Sequence, residues 1–293
     1  MKAVILAGGR GTRITEETTL KPKPMITIGE MPILWHIMKI YSHYGIHDFV
    51  ICLGYKAEMI KQFFIQYELQ MSDLTVDMVK SKVEFHRKFH EPWRVTLVNT
   101  GLETMTGGRL RRVREYLGNE TFCFTYGDGL SNVNINHLLD FHRTQRKLAT
   151  MTVCRHTSRF GMLKLDGERV TQFIEKPEEE GSWMNSGFYV MEPEVIDSIP
   201  GDDTVLEKGP IERLVLDGQL AAYKHLGFFR GMDSMRDKIE LETLWQEQKA
   251  PWKVWRENDY ENMRLSDYRG RDYWDLGGPG TEKKVSGIDD HAA

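Results

Sequence analysis

The chain is short of several things. It has no hydrophobic run long enough for a membrane span, only three cysteines in 293 residues, and a net charge of only −4. No leader-like segment precedes the apolar start at Lys2, so a cytoplasmic protein is expected. Cys52, Cys123 and Cys154 sit singly in apolar, strand-like stretches without metal-ligand spacing, which predicts reduced core residues. The weak net charge predicts no nucleic-acid partner, while leaving room for a local basic cluster. At this length one large α/β domain or two small ones fit.

Two nucleotide-binding motifs are also missing. Gly9-Arg10-Gly11 begins a dinucleotide fingerprint, but Ile14 stands where its third glycine belongs. No Gly-Lys-Ser/Thr follows, which excludes a P-loop.

What is present starts at the N-terminus. Residues 2–6 are apolar and β-branched, the pattern of a buried strand. The strand breaks at Leu6 and Ala7 into Gly8-Gly9-Arg10-Gly11-Thr12-Arg13. Backbone free to take positive φ can turn its amides inward as a nest for phosphate, with Arg13 adding charge at the rim. An ordinary strand-to-helix turn has the same glycines, so the loop alone leaves both readings open. Lys21-Pro22-Lys23-Pro24 follows, and alternating prolines hold the two lysines on a stiff, extended segment. A rigid lysine shortly after an anion nest suits a triphosphate; Lys21 fits site and surface equally.

Strands are predicted at 2–6, 48–53, 95–99, 122–125 and 149–153, and amphipathic helices at 32–44, 56–67, 107–117 and 136–146. The alternation predicts an α/β fold, a doubly wound, mostly parallel, Rossmann-like sheet with right-handed crossovers. Shorter strands at 168–174 and 187–191 read as a smaller mixed sheet completing the cleft. Residues 1–255 read as one domain. Residues 256–293 form a charged, glycine-rich extension of unknown role, yet with Tyr260, Tyr268, Tyr273 and Trp274. A poorly ordered tail and aromatics docked on the body or a neighbour both fit.

Gly8-Gly9-Arg10-Gly11-Thr12-Arg13 followed by Lys21-Pro22-Lys23-Pro24-Met25 resembles the sugar-1-phosphate nucleotidylyltransferases. The resemblance continues through Tyr126-Gly127-Asp128-Gly129, Arg159-Phe160-Gly161, Glu175-Lys176-Pro177, Asn185-Ser186-Gly187-Phe188 and Met232-Asp233-Ser234. Residues 32–38, 105–110 and 250–253 look most like its cytidylyl branch. The likeness runs in order from Met1 to Trp255.

That resemblance implies attack of a sugar 1-phosphate on the α-phosphorus of CTP, with pyrophosphate leaving. The acceptor it implies is α-D-glucose 1-phosphate, giving CDP-glucose for dideoxyhexose or related glycan synthesis. Such a nucleophile is already an anion, so alignment and cations carry catalysis. By the same resemblance Asp128 and Asp233 hold Mg2+, and Arg13 and Lys23 contact phosphates. Lys176 engages the sugar phosphate, and Glu175 and Asn185 the sugar hydroxyls. Tyr126 and Gly161 pack on the ligand, and homo-oligomers are usual.

Thr104-Met105-Thr106-Gly107-Gly108-Arg109 is the expected base selector. Thr106 is expected to cap a helix, and Gly107-Gly108 to bring backbone close to the pyrimidine. Arg109 reads either as a donor to cytosine or as one charge of a solvated helix face with Arg111, Arg112 and Arg114. His36, His43 and His47 lack metal spacing, and Trp35 and Met38 predict a packed helix there. His86 and His90 are expected to face water, and Met59, Met71 and Met78 to be adaptable packing residues. Another nucleotide (dTTP or UTP), another phosphorylated acceptor, a non-catalytic homologue and a sugar-nucleotide binding module remain as alternatives.

Overall fold

The computed structural model describes residues 1–12, 14–87, 91–155, 162–166, 169–174 and 183–256. Its centre is one seven-stranded sheet. The strands are β1 (Lys2–Ala7), β2 (Asp48–Leu53), β3 (Arg94–Asn99), β4 (Phe122–Tyr126), β5 (Ala149–Arg155), β6 (Trp183–Met191) and β7 (Leu220–His225). They lie in the order β7-β5-β6-β4-β1-β2-β3. β1 is parallel to β2 and β4, and β2 to β3. β6 runs antiparallel to both its neighbours, β4 and β5.

Both faces of the sheet are covered, which is why its strands read as unbroken apolar runs. Side chains alternate across the pleat. Ala3, Ile5 and Ala7 therefore enter one core with Phe49, Ile51 and Leu53, while Val4 and Leu6 enter the other with Val50, Cys52 and Phe124. All three cysteines are buried and unbridged, and burial pushes the Cys52 and Cys123 thiols up to about 12.

The helices that matter for the cleft are α1 (Ile33–His43), α2 (Ala57–Ile65), α3 (Thr106–Arg112), α4 (Ile135–Gln145) and α5 (Met235–Gln246). α1 buries Ile33, Leu34, Ile37, Met38, Ile40 and Tyr41 against the first core. On the same helix His36 is fully buried among the indoles of Trp245, Trp252 and Trp255. Its Nε2–H donates to the Ile28 carbonyl at 2.9 Å, and its Nδ1 accepts from Trp252 Nε1–H at 3.4 Å. Those indoles fasten residues 245–255 to the body.

Three expectations change in detail. The strand foreseen at 187–191 begins at Trp183 and belongs to the central sheet, and the small sheets are antiparallel pairs such as Met162–Asp166 with Arg169–Ile174. The helix foreseen over 107–117 ends at Arg112 and continues as a 3-10 turn, Arg114–Tyr116. Met71 and Met78 are not packing residues: Met78 is 82% exposed on the turn of the Asp73–Asp77/Lys82–Arg87 hairpin. Among the described residues no helix is long and apolar enough to cross a membrane.

Candidate active site

The cleft lies at the carboxyl ends of β1 and β4, where open α/β sheets bind ligands. The two strands are neighbours with Leu6 opposite Tyr126, so the glycine loop and the Gly127-Asp128-Gly129 turn leave the sheet side by side. Two adjoining cavities open there, of about 660 and 810 Å³. The first is lined by Leu6, Ala7, Gly8, Gly9, Gly11, Thr12, Lys23, Thr104 and Arg109. Tyr126, Asp128, Asn185 and Asp233 line both.

Asp128 and Asp233 are brought together by local pairing. Gly129–Ser131 runs antiparallel to Phe229–Gly231, and the Met232 N–H donates to the Asp128 carbonyl at 2.8 Å. Ser234 then caps α5: its hydroxyl accepts the Asp237 N–H, and the Asp237 carboxylate accepts the Ser234 N–H at 3.0 Å. Asp233 is the one residue between that pairing and the cap, and its carboxylate faces Asp128 across Lys23.

Lys23 opens a 3-10 turn, Lys23–Met25, after extended Pro22 at φ −66°. The stiff segment is thus a turn at Lys23, a place that suits the flanking prolines. Its ammonium lies 2.6 Å from Asp128 Oδ2 and 2.8 Å from Asp233 Oδ1. Burial pulls the Lys23 pKa down, but the two carboxylates outweigh it and hold it above the ordinary lysine value. Two hard oxygen donors already converging on one cation are chemically suited to magnesium, which takes few carboxylates and completes its shell with phosphate and water. Among the described residues no group of three or more His, Cys, Asp or Glu side chains is placed to hold a metal ion, at this position or elsewhere, so phosphate and water would have to supply most of such a shell.

The glycine loop is partly as expected. Gly11 takes φ +65°, and Arg10 turns away to pair with Glu103 at the surface. Gly8 rests on the Arg109 guanidinium, where a Cβ would come within 2.2 Å of Nη1. Arg109 is 5% exposed, so the solvated-face reading fails; Arg111 and Arg112 are the exposed pair. Its Nη1 donates to the Leu53 carbonyl (3.1 Å), Thr100 Oγ1 (2.8 Å) and the Gly101 carbonyl (2.7 Å), and Nη2 to the Leu102 carbonyl (3.2 Å). Much of its donor capacity is therefore spent on Leu53 and on residues 100–102, the stretch leading to Thr104.

The glycine pair of α3 corrects its expected role. The backbone that approaches Gly107-Gly108 belongs to residues 202–206. A Cβ on Gly108 would lie 2.3 Å from the Asp202 carbonyl oxygen, and the Gly107 N–H donates to the Thr204 carbonyl at 2.9 Å. Thr106 does not cap the helix, whose N-cap is Met105. Its hydroxyl instead accepts the Leu206 N–H at 2.8 Å and donates to Glu207 at 2.8 Å.

On the other side, Asn185 accepts the Gly187 N–H at 2.8 Å and reaches the Tyr189 hydroxyl. Tyr126 donates its hydroxyl to Glu207, and burial with the adjacent Tyr189 and Glu207 drives its pKa well above the phenol value. Arg13, Gly161, Glu175 and Lys176 lie outside the described residues. Glu207, which lines the first cavity, was missed because a lone glutamate in Val205-Leu206-Glu207-Lys208 carries no pattern in the sequence.

The nucleotidyl transferase family matches residues 2–226. Over 256 residues, 87% of this chain and 100% of the relative, the chain is 52% identical to glucose-1-phosphate cytidylyltransferase of Salmonella typhi. It is 43% identical, with the same coverage, to a probable glucose-1-phosphate cytidylyltransferase of Bacillus subtilis (strain 168). Among solved structures, a putative glucose-1-phosphate thymidylyltransferase from Bacillus anthracis superposes with a TM-score of 0.61 at 18% identity, covering 83% of this chain and 94% of that one. That last likeness speaks to the fold alone. With a strand-end cleft that gathers Lys23, Asp128 and Asp233, and relatives matched along their entire length, the chain belongs to the nucleotidyl transferase family, among the glucose-1-phosphate cytidylyltransferases.

Proposed function

We propose that the cleft joins CTP to α-D-glucose 1-phosphate, giving CDP-glucose and pyrophosphate. The 52% identity over the whole of a cytidylyltransferase carries this reading. A phosphate oxygen of the sugar attacks the α-phosphorus, a new P–O bond forms, and the bond to the β-phosphate breaks with its electrons leaving on pyrophosphate. The attacking oxygen is already anionic, so no side chain needs to remove a proton; the obstacle is repulsion between two polyanions.

Each residue group answers part of that obstacle. The loop from Gly8 to Thr12, with Arg13, holds the triphosphate through amides and charge. Lys23 neutralises phosphate where the two carboxylates converge. Asp128 and Asp233 would hold magnesium, which would supply positive charge to offset that of the phosphates. Lys176 engages the sugar phosphate, Glu175 and Asn185 the hydroxyls, and Thr104 and Arg109 the base side. The working enzyme is a homo-oligomer in this reading.

The experiment is a matrix of CTP, UTP, dTTP, ATP and GTP against several hexose 1-phosphates, read as pyrophosphate release with and without magnesium. Turnover confined to CTP and glucose 1-phosphate is expected. Equal turnover with dTTP overturns the cytidylyl reading, and no release with any pair overturns catalysis.

A further inference from the structure

We propose that Glu207 is a positioning residue for the transfer: its carboxylate ties the base-side loop to the strand end carrying Asp128, and its remaining lone pairs accept a sugar hydroxyl of the substrate. The inference rests on the transfer reading above.

Glu207 is held by two donors from different elements. Thr106, at the start of α3, donates to Oε2 at 2.8 Å, and Tyr126, at the end of β4, donates to Oε1. The direction of the Thr106 hydroxyl is fixed, because its oxygen also accepts the Leu206 N–H at 2.8 Å. The chain leading to Glu207 is itself anchored on α3, with the Met105 N–H donating to the Asp202 carbonyl at 2.8 Å. One carboxylate thus spans from the Thr104–Arg109 loop to a residue two positions before Asp128.

The choice of a carboxylate needs a reason. A negative charge in a cleft built for polyphosphate is unfavourable, and a neutral glutamine could hold either hydroxyl. An ionised carboxylate differs in being a pure acceptor with about four lone-pair sites. Thr106 and Tyr126 take two, and the others face a cavity of about 660 Å³. Only a hydrogen-bond donor satisfies them. Glu207 lines the first cavity, and Tyr126, which holds Oε1, lines both. In the transfer reading Thr104 and Arg109 mark the base side and Asn185 the hexose side, and Tyr126 lines the cavities on both, so the donor that reading brings to Glu207 is a sugar hydroxyl.

The test uses Glu207→Gln and Glu207→Asp in the full chain. Steady-state kinetics are compared for the nucleotide and sugar phosphate that wild type turns over, for the 2′-deoxynucleotide, and for a series of deoxyhexose 1-phosphates. Wild type is expected to lose about 10- to 100-fold in kcat/KM on one analogue, the size of a hydrogen bond to a charged acceptor. Glu207→Gln is expected to lose a similar factor on the parent pair and to treat that analogue and its parent alike. The 2′-deoxynucleotide being the insensitive analogue assigns ribose; a deoxyhexose assigns the acceptor sugar. A variant that keeps every wild-type analogue penalty, or that changes only the CTP-to-UTP ratio, overturns the proposal. Glu207→Asp keeps the charge but retracts it, and it answers the same question should the glutamine variant fold poorly. Because the series is built on whichever pair wild type uses, a wrong substrate assignment is seen separately in the wild-type rates.

Discussion

Met232 donates its backbone N–H to the carbonyl of Asp128 across 2.8 Å, and this bond sets the two cleft carboxylates facing each other. The residues stand over a hundred positions apart in the chain. Pairing of Gly129–Ser131 with Phe229–Gly231 closes that distance, and the capped start of α5 prevents Asp233 from drifting along it.

Asp128→Asn and Asp233→Asn are accordingly expected to keep the fold and lose turnover. Each removes one hard oxygen donor from a cation position, a contribution of several kcal/mol, so kcat should fall at least about a hundredfold. Pyrophosphate release at saturating magnesium checks this, beside a thermal melt; near-wild-type release sinks the assignment. Lys23→Ala should also cost rate more than stability, since both of its partners are partly exposed and water screens them once the ammonium is gone. A protein that melts early yet keeps full activity per folded molecule would make Lys23 structural.

Gly108→Ala tests why α3 begins with two glycines. The added methyl would sit 2.3 Å from a backbone carbonyl, which cannot swing aside as a side chain can. A loss of about 1–3 kcal/mol in unfolding free energy is expected, with raised KM for the nucleotide as the loop is displaced. Unchanged chemical denaturation would show that residues 202–206 yield freely.

Arg109→Ala is expected to act twice. The Gly101 and Leu102 carbonyls lose the guanidinium donor, at about 1–3 kcal/mol for each left buried and unsatisfied, whereas the Leu53 carbonyl keeps the Thr100 N–H and hydroxyl. The loop carrying Thr104 then loses its brace, and preference for CTP over UTP and dTTP should weaken. The ratio of kcat/KM values across the three nucleotides measures it. A variant that is destabilised but keeps full CTP preference would confine Arg109 to support.

The sheet was legible because buried parallel strands have one requirement, apolar β-branched runs, and residues 2–6 and 48–53 meet it without ambiguity. The convergence of Lys23, Asp128 and Asp233 was not legible from spacing: the three are joined by a ladder and a helix cap, and only resemblance to a family pointed to them. Gly107-Gly108 was misread for a related reason. A glycine pair announces that something comes close without saying what, and here it is the backbone of residues 202–206. Thr106 looked like a cap because its type and place fit one, yet a better donor and acceptor pair, Leu206 N–H and Glu207, lay a hundred residues away.

Truncation after Arg256 is expected to leave catalysis intact. Every motif shared with the family precedes that point, and relatives aligned along 100% of their length account for only 87% of this chain. Equal specific activity of the two forms is the expected result; collapse would give residues 257–293 a part in the site or an interface.

The buried His36 predicts how stability responds to acid. Burial, set against hydrogen bonds from the backbone, lowers its pKa from 6.5 to about 4. At pH 7 the ring is neutral in both the folded and the unfolded chain, so it contributes no pH dependence there. Between 6.5 and about 4 the unfolded chain takes up a proton that the folded one refuses, and folding stability must fall as pH drops through this window. The full loss is on the order of 3 kcal/mol once the pH lies below both values. Burial lowers His47 and His225 as well, and they add slope of the same sign. His36→Phe keeps the ring's place among Trp245, Trp252 and Trp255 but has nothing to titrate. It should cost about 1 kcal/mol at pH 7, through the lost bond to the Ile28 carbonyl, and flatten the decline toward pH 4.5. Urea denaturation at pH 7 and 4.5 measures both effects, and an unchanged slope would mean that the indole cluster opens before His36 is protonated.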